Sequence, residues 1–562
     1  MTQLKQEVGS LLIQRLYDYG VRHIFGVPGD YVLGFYRQLV QSNKLEIINT
    51  CDEQGAGFAA DAYARINGLG VVCVTYCVGG LKVVNATAQA FAEKSPLVII
   101  SGAPGIKERR KNPLLHHKTK EFETQLKVFE HVTVDTVILD DPRTAIKDIE
   151  RVLSSARRYS RPVYIELPRD MLSALIPTSV LYEDIQGADR TGDKLEAEYY
   201  ETNRSSMKEA LAEATTMINW SRQPVLVAGL EIQRFSLQDR LLQLIDKTNI
   251  PVVSTVLSKS TLSEDHPCYL GVYEGAMGRQ LVREYVESSD CLILLGAMMT
   301  DINFAMSPTP IEQSRCIYIS SEKLSIKHHN FENIFLNDFL SNLLEAPLRK
   351  RIVVNLEKQD MKSRHFIAKK NQKITVTRLF ECLNSAITDN TIVITDVGDS
   401  LYGALDLIIH QQTEFLSPAY YLSVGFAVPA AIGAQLANSN LRPLVIVGDG
   451  AFQMTGMEVS TIARFNLNPI IVILNNKGYL TERVMLDGPF NDILPWNYSQ
   501  IPMILNNHGK GFIVETEEQL EESLNAAINR YDNEFCILDV RLEVHDASFA
   551  LQRLGKLSAE KV

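Results

Sequence analysis

The stretch LVIVGDGAFQMTGMEVSTIARFNLNPIIVILNNKGYLTE, Leu444–Glu482, decides the fold. An apolar, β-branched run ends in Gly448-Asp449-Gly450, a helical pattern follows, and a second apolar run ends in Asn475-Asn476. Near-continuous apolar strands separated by a helix are the pattern of a parallel sheet covered on both faces. Both strands then end on one edge, where open α/β sheets bind ligands. Glycine lets the backbone approach a phosphate, and the helix after Gly450 offers free N–H groups at its positive end. Asp449, Asn476 and a loop carbonyl at Gly478 are hard oxygen donors. With two phosphate oxygens they would nearly complete an octahedral Mg²⁺ shell. Gly-Asp-Gly alone is a common capped turn. The second strand, ending at Asn476, is what favours one site over two unrelated turns.

The same short runs recur along the chain: VVCVTYCV (71–78), LVIIS (97–101), VYIEL (163–167), VLVAG (225–229), CLILLG (291–296), IVIT (392–395) and CILDV (536–540). Helix-length segments separate them, so the fold class is α/β. A length of 562 residues corresponds to roughly three to four domains. Polar, strand-poor linkers at about 177–206 and 358–373 cut the chain into three doubly wound parallel-sheet domains. The expected boundaries are 1–180, 205–350 and 374–545, with a tail or helix over 546–562 near the active site.

A hydrophobic content of 46% with 22% charged residues excludes a mainly disordered chain. The net charge of −11 weighs against a nucleic-acid partner. No apolar run is long enough to span a bilayer, and the N-terminus shows no basic start before an apolar block, so neither a membrane partner nor a signal peptide is expected. The eight scattered cysteines form no CxxC pair; they read as reduced thiols of a cytoplasmic protein.

The GDG…NN stretch resembles the thiamine-diphosphate-binding motif of thiamine-dependent enzymes. The resemblance implies that Asp449, Asn476 and the Gly478 carbonyl hold Mg²⁺, and that Gly448, Gly450, Ala451 and the loop with Tyr479 and Leu480 hold the diphosphate. That family also needs a glutamate in its N-terminal domain, which hydrogen-bonds the cofactor's aminopyrimidine. TCDEQGAGFAADAYAR (50–65) places Glu53 there; alone, Glu53 reads as a first-turn charge favoured by the helix dipole. In this family the cofactor sits between the N-terminal domain of one subunit and the C-terminal domain of another. A homodimer is therefore implied at minimum, with a homotetramer expected.

Four further stretches resemble the 2-oxo acid decarboxylases acting on pyruvate, indolepyruvate, phenylpyruvate and branched-chain acids. They are FGVPGDYVLGF (25–35) with Asp30, LLHHKT (114–119) with His116 and His117, GYLTE (478–482) with Glu482, and VMLDGPFNDILPWNY (484–498). Singly, Asp30 reads as a turn residue, the histidine pair as a solvated loop and Glu482 as a helix-start charge. Jointly they imply a proton relay, since protonation after CO₂ loss and aldehyde release both need groups that titrate near neutrality. The match also puts Thr75, Asp399, Ser400, Leu422 and Ser423 at cofactor-contact positions, and Val424 under the bent cofactor. Asp301 is a candidate acid of the pocket, or a loop cap.

After the histidines the chain reads KTKEFETQ (118–125), which looks like the phenylpyruvate type. Leu401 and Leu554 stand where pyruvate-specific bacterial members place tryptophans. Smaller side chains leave volume, so the expected substrates are aryl or branched 2-oxo acids, with pyruvate accepted less well. A carboligating enzyme of the acetohydroxyacid synthase type, whose middle domain binds FAD, is the alternative; it lacks the histidine pair. A nicotinamide-dependent oxidoreductase is disfavoured because no GxGxxG follows a strand. A non-catalytic paralogue is disfavoured by the joint presence of Glu53, Asp449 and Asn476.

Overall fold

The computed structural model describes residues 5–181, 202–301, 311–354, 366–410 and 414–558. Most of the 177–206 linker and much of the 358–373 linker lie outside the described residues. The chain divides into two compact units. One comprises Met1–Tyr200, Val428–Asn440 and Thr455–Phe465; the other comprises Glu201–Ala427, Leu441–Met454 and Asn466–Val562.

The first unit is built on a six-stranded sheet. Its order is β2 (Glu46–Asn49), β1 (His23–Gly26), β3 (Gly70–Val74), β4 (Leu97–Ala103), β6 (Val163–Pro168) and β5 (Asp135–Ile138). Every neighbouring pair is parallel. Strands β3, β4 and β6 are buried at every residue, as apolar runs covered on both faces require. The order reverses between β1 and β3, which opens a crevice at the ends of those two strands.

The second unit holds two sheets. The first has the order β13 (His329–Phe331), β12 (Leu324–Ile326), β11 (Cys316–Ile319), β10 (Cys291–Leu295), β7 (Pro224–Ala228), β8 (Val252–Thr255) and β9 (Tyr269–Tyr273). It is parallel from β11 to β9 and ends in the antiparallel hairpin β12–β13. The other has the order β15 (Glu414–Leu416), β14 (Thr391–Thr395), β16 (Arg442–Gly448), β17 (Ile470–Asn475), β19 (Cys536–Arg541) and β18 (Lys510–Val514), all parallel. Counted within its own sheet, this order is that of the first unit. Its reversal lies between β14 and β16.

Helix Glu53–Asn67 is buried at every residue from Gly55 to Arg65. Small residues make that burial possible. Gly433, on helix Ala427–Ala437, lies so close to the helix backbone that a Cβ there would strike the Ala59 carbonyl. Inside, Asp61 accepts from Arg65 Nε at 2.9 Å and from Gln89 Nε2 at 2.9 Å, and Arg65 Nη2 reaches Glu93 at 2.8 Å. None of the three charged side chains is more than 2% exposed.

A second charge cluster, with Lys259 and Glu274 buried in it, lies in the other unit. Lys259 pairs with Glu264 at 2.6 Å and donates to the Leu405 carbonyl. Arg279 pairs with Asp406 at 2.8 Å, and Arg553, on helix Phe549–Ser558, donates to the carbonyls of Met277 and Gly278. Glu274 sits among Lys259, Arg279, Arg553, Asp406 and Tyr402, its Oε2 buried without a partner. Burial pushes its carboxyl up to about 8.

Arg65→Met leaves two buried carboxylates without their cation, which costs about 3–5 kcal/mol. It should lower the first calorimetric transition sharply, whereas the exposed Arg143→Met leaves it in place. Glu274 binds its proton more tightly folded than unfolded, so its contribution is present at low pH and is lost as pH rises from the ordinary carboxyl range through about 8. Glu274→Gln should therefore melt at least ~2 °C above the unsubstituted chain at pH 8.5, with the gap closing at pH 5.

Candidate functional site

The first unit collects one group of predicted residues at its crevice. Strand β1 ends at Gly26, and the chain turns through Pro28-Gly29 to Asp30. A Cβ on Gly29 would collide with Thr75, just past the end of β3, so the glycine lets the two strand ends close together. Thr75 is 6% exposed and its Oγ1 has no partner. Asp30 Oδ2 lies 2.7 Å from His116 Nε2. The His117 ring meets His116 edge-on at 4.8 Å between centroids. One ligand-type atom from each of these three residues falls within 4.8 Å of the others, so the structure brings Asp30, His116 and His117 together.

The support for this cluster was not legible in the sequence. Tyr31 stacks on His116 at 4.7 Å with 19° between planes, and its hydroxyl stands 3.4 Å from both Nδ1 and the carbonyl of His116. The Arg169 guanidinium lies 5.0 Å above the Tyr31 ring and is held by Glu108, with Nε–Oε2 at 2.8 Å. The only sequence signal was an aromatic residue directly after Asp30.

Glu53 opens helix Glu53–Asn67, as the small-residue pattern predicts. Asp52 caps that helix, its Oδ1 accepting from Gln54 N at 2.8 Å. The Glu53 side chain is 14% exposed, and its Oε2 pairs with Lys82 Nζ at 2.8 Å. Asp52 and Glu53 together push the Lys82 ammonium up to about 12. Gly79 lies between Glu53 and Thr75; a Cβ there would meet the Thr75 backbone at 3.1 Å and Glu53 Oε1 at 3.3 Å. Lys82 was not foreseen, because its partners are some thirty positions away.

In the second unit β16 and β17 run side by side with Gly448 opposite Leu474. Asp449 and Asn476 therefore leave the sheet on one edge. Asp449 is 1% exposed; Oδ1 accepts from Gly450 N at 2.8 Å and Oδ2 from Lys477 N at 2.6 Å. Burial pushes its carboxyl up to about 6. The side-chain oxygens of Asn475 and Asn476 are both buried without a partner. Asn475 is held from its other end, Nδ2 donating to Asp539 Oδ1 at 2.7 Å. A Cβ at Gly448 would meet nothing within 4 Å, whereas one at Gly450 would strike the Tyr479 ring. Ala451 is 5% exposed, and Leu480 begins the short helix Leu480–Met485, on which Glu482 is exposed.

Strand β14 repeats the arrangement of β16. Asp396, unremarked in the sequence, follows β14 and accepts from Val397 N, Gly425 N and Ala427 N at 2.8–3.0 Å. Burial pushes it up to about 6. It thereby holds the loop with Leu422, Ser423 and Val424. Leu422 is left-handed at φ 59°, Ser423 is buried and Val424 half-buried.

Other predicted residues serve neighbouring backbone. Asp399 accepts from Ser548 N at 2.9 Å, and Ser400 Oγ donates to the Asp396 carbonyl at 3.0 Å. Leu401 and Leu554 are 0% and 1% exposed, packed in the apolar core around β14 and β16. Asp301 is exposed at the edge of the described residues.

An orphaned amide oxygen beside a buried carboxylate, with open space before a glycine, suits a hard cation and a diphosphate. Comparison with known proteins gives the same direction. Three family models match: "Thiamine pyrophosphate enzyme, N-terminal TPP binding domain" over residues 6–128, the central domain over 211–346 and the C-terminal TPP binding domain over 396–540. An indole-3-pyruvate decarboxylase of Azospirillum brasilense is 33% identical over 527 residues, covering 93% of each chain. Pyruvate decarboxylase 3 of Arabidopsis thaliana is 30% identical over 565 residues, covering 98% of this chain and 92% of its own. Motifs, sheet order and relatives agree: the chain belongs to the thiamine-diphosphate-dependent 2-oxo acid decarboxylases, which are carboxy-lyases.

Proposed function

We propose that this decarboxylase requires Mg²⁺ and converts aryl or branched 2-oxo acids to aldehyde and CO₂, with pyruvate a poorer substrate. The observation that carries the metal reading is the unpartnered Asn476 oxygen beside buried Asp449 on one sheet edge. These two, with the Gly478 carbonyl, would hold the cation, and Gly448, Gly450 and Ala451 would border the diphosphate. Bound thiamine diphosphate supplies the carbon nucleophile and the electron sink for loss of CO₂.

This chain's own residues do the rest. Glu53 would hold a proton at the cofactor's aminopyrimidine. Asp30, His116, His117 and Glu482 would move protons at the reacting carbons, and the 2.7 Å Asp30–His116 contact supports a relay through the first two. Tyr31 and Arg169 would keep the His116 ring in that orientation. Val424, on the loop held by Asp396, would support the cofactor from below. Leu401 and Leu554 would back the substrate pocket from the apolar core, and Asp301 would be a further acid of that pocket. Thr75, Asp399, Ser400, Leu422, Ser423, Tyr479 and Leu480 complete the cofactor surroundings.

Two copies would pair to complete each site, and two pairs would form a tetramer. Exposed Phe490, Leu494, Met503 and Ile504, following the metal motif, support such an assembly. Eight free cysteines, seven of them buried, support a cytoplasmic location. Among the described residues no helix is long and apolar enough to cross a membrane.

The carboligating alternative with a flavin in the middle sheet is less well supported. That sheet reverses between β7 and β10, and there Gly229 lies against the Gly296 carbonyl and Ala297 so closely that a Cβ would collide. Glu231 is spent on Ser321 N and Oγ, both at 2.7 Å.

The test is aldehyde release from pyruvate, 4-methyl-2-oxopentanoate, phenylpyruvate, indolepyruvate and benzoylformate, with thiamine diphosphate and Mg²⁺. The larger acids should turn over fastest. Glu53→Gln should lose at least ~100-fold in kcat, and chelation of the metal should abolish turnover until Mg²⁺ is restored. Turnover of pyruvate alone by the unsubstituted chain would overturn the wide pocket.

A further inference from the structure

We infer that Glu458 is a positioning residue for Glu53: its buried carboxylate fixes the backbone of residues 51 and 52 and so the first turn of the helix that presents Glu53. The inference rests on the role given to Glu53 above.

Glu458 is 1% exposed and closes the turn Gly456–Glu458 that follows helix Asp449–Thr455. Its Oε1 accepts from Cys51 N and Asp52 N, both at 3.1 Å, and its Oε2 from Cys51 N at 3.2 Å and Thr461 Oγ1 at 2.7 Å. The Met457 carbonyl accepts from Cys51 Sγ at 3.3 Å. A carboxylate accepting from several backbone N–H groups satisfies donors that the start of a helix leaves without an intrahelical partner. It also lies at the positive end of helix Glu53–Asn67, where negative charge is favoured.

The neighbouring sequence keeps this contact open. Gly55 faces the carboxylate so closely that a Cβ would meet Glu458 Oε1. Asp52 is thereby doubly used: its N–H is held by Glu458 while its Oδ1 caps Gln54 N. The next residue is Glu53, whose carboxylate otherwise pairs with Lys82. Lys82 is half exposed and its ion pair is easily remade in water. The rigid restraint on Glu53 thus comes through its backbone, from Glu458, rather than through its side chain. Glu458 lies 407 positions from Cys51 in sequence, yet within the same compact unit.

The experiment uses the full chain and the variants Glu458→Ala, Glu458→Asp and Glu458→Gln. Amide hydrogen exchange is read at residues 51–54 without cofactor. The C2-proton exchange rate of bound thiamine diphosphate is read by NMR, alongside kcat and KM for the best 2-oxo acid. Ala and Asp should speed exchange at the Cys51 and Asp52 amides at least ~10-fold. They should slow C2-proton exchange and kcat by up to ~100-fold, with KM moved less than ~3-fold. Gln, whose amide oxygen still accepts from both amides, should recover most of each effect. Asp carries the test should Ala fail to fold, since it keeps the charge and withdraws the oxygens. Unchanged protection at residues 51 and 52 in Ala or Asp would overturn the inference, as would lost protection with C2-proton exchange at its original rate. Failure of the unsubstituted chain to bind the cofactor would instead overturn the proposed function, and the exchange data would still judge the Glu458 anchor.

Discussion

A parallel sheet forces every strand to leave by the same edge, and the chemistry of this protein depends on that constraint. Asp30 and Thr75 follow β1 and β3, Asp396 and Asp399 follow β14, Asp449 follows β16 and Asn476 follows β17. None of these residues needs a special loop to reach its crevice, because the crossover geometry delivers it there. Glycine refines the delivery where a neighbouring side chain presses on the backbone: Thr75 on Gly29, and the Tyr479 ring on Gly450.

Burying carboxylates at such edges is expensive, and the same pattern offsets the expense each time. Asp396, Asp449 and Glu458 each accept from backbone N–H groups at chain turns. Those groups would otherwise be orphaned donors at helix starts and loop bends. Desolvation still wins, since all three carboxyls lie above their ordinary range. Asp61 is the contrasting case: fully buried, but beside the Arg65 guanidinium, and held below that range. The protein uses a cation where carboxylates are packed deep in a helix interface and bare amides where they brace turns and helix starts.

What the sequence made legible follows from this physics. The parallel sheets were readable because their strands are short apolar runs. The placements of Asp449, Asn476 and Glu53 were readable because each stands at the end of a strand or the start of a helix, a local signal. The antiparallel hairpin β12–β13 was not, since LSI and HNF carry no run long enough to register as strands. Tyr31, Arg169, Lys82 and Glu458 were not, because their roles lie in pairings across tens to hundreds of positions. Asp399 and Ser400 show the converse: family position drew attention to them, while their hydrogen bonds go to the Ser548 amide and the Asp396 carbonyl.

The shared strand order of the first and third sheets bears on how such a protein can be rebuilt. Two modules of one topology each have their crevice at the same reversal. One carries histidines and acids, the other glycines and oxygen donors. Neither crevice depends on which module comes first along the chain. Gene fission, or exchange of the two modules about the central one, would leave each sheet's reversal point intact.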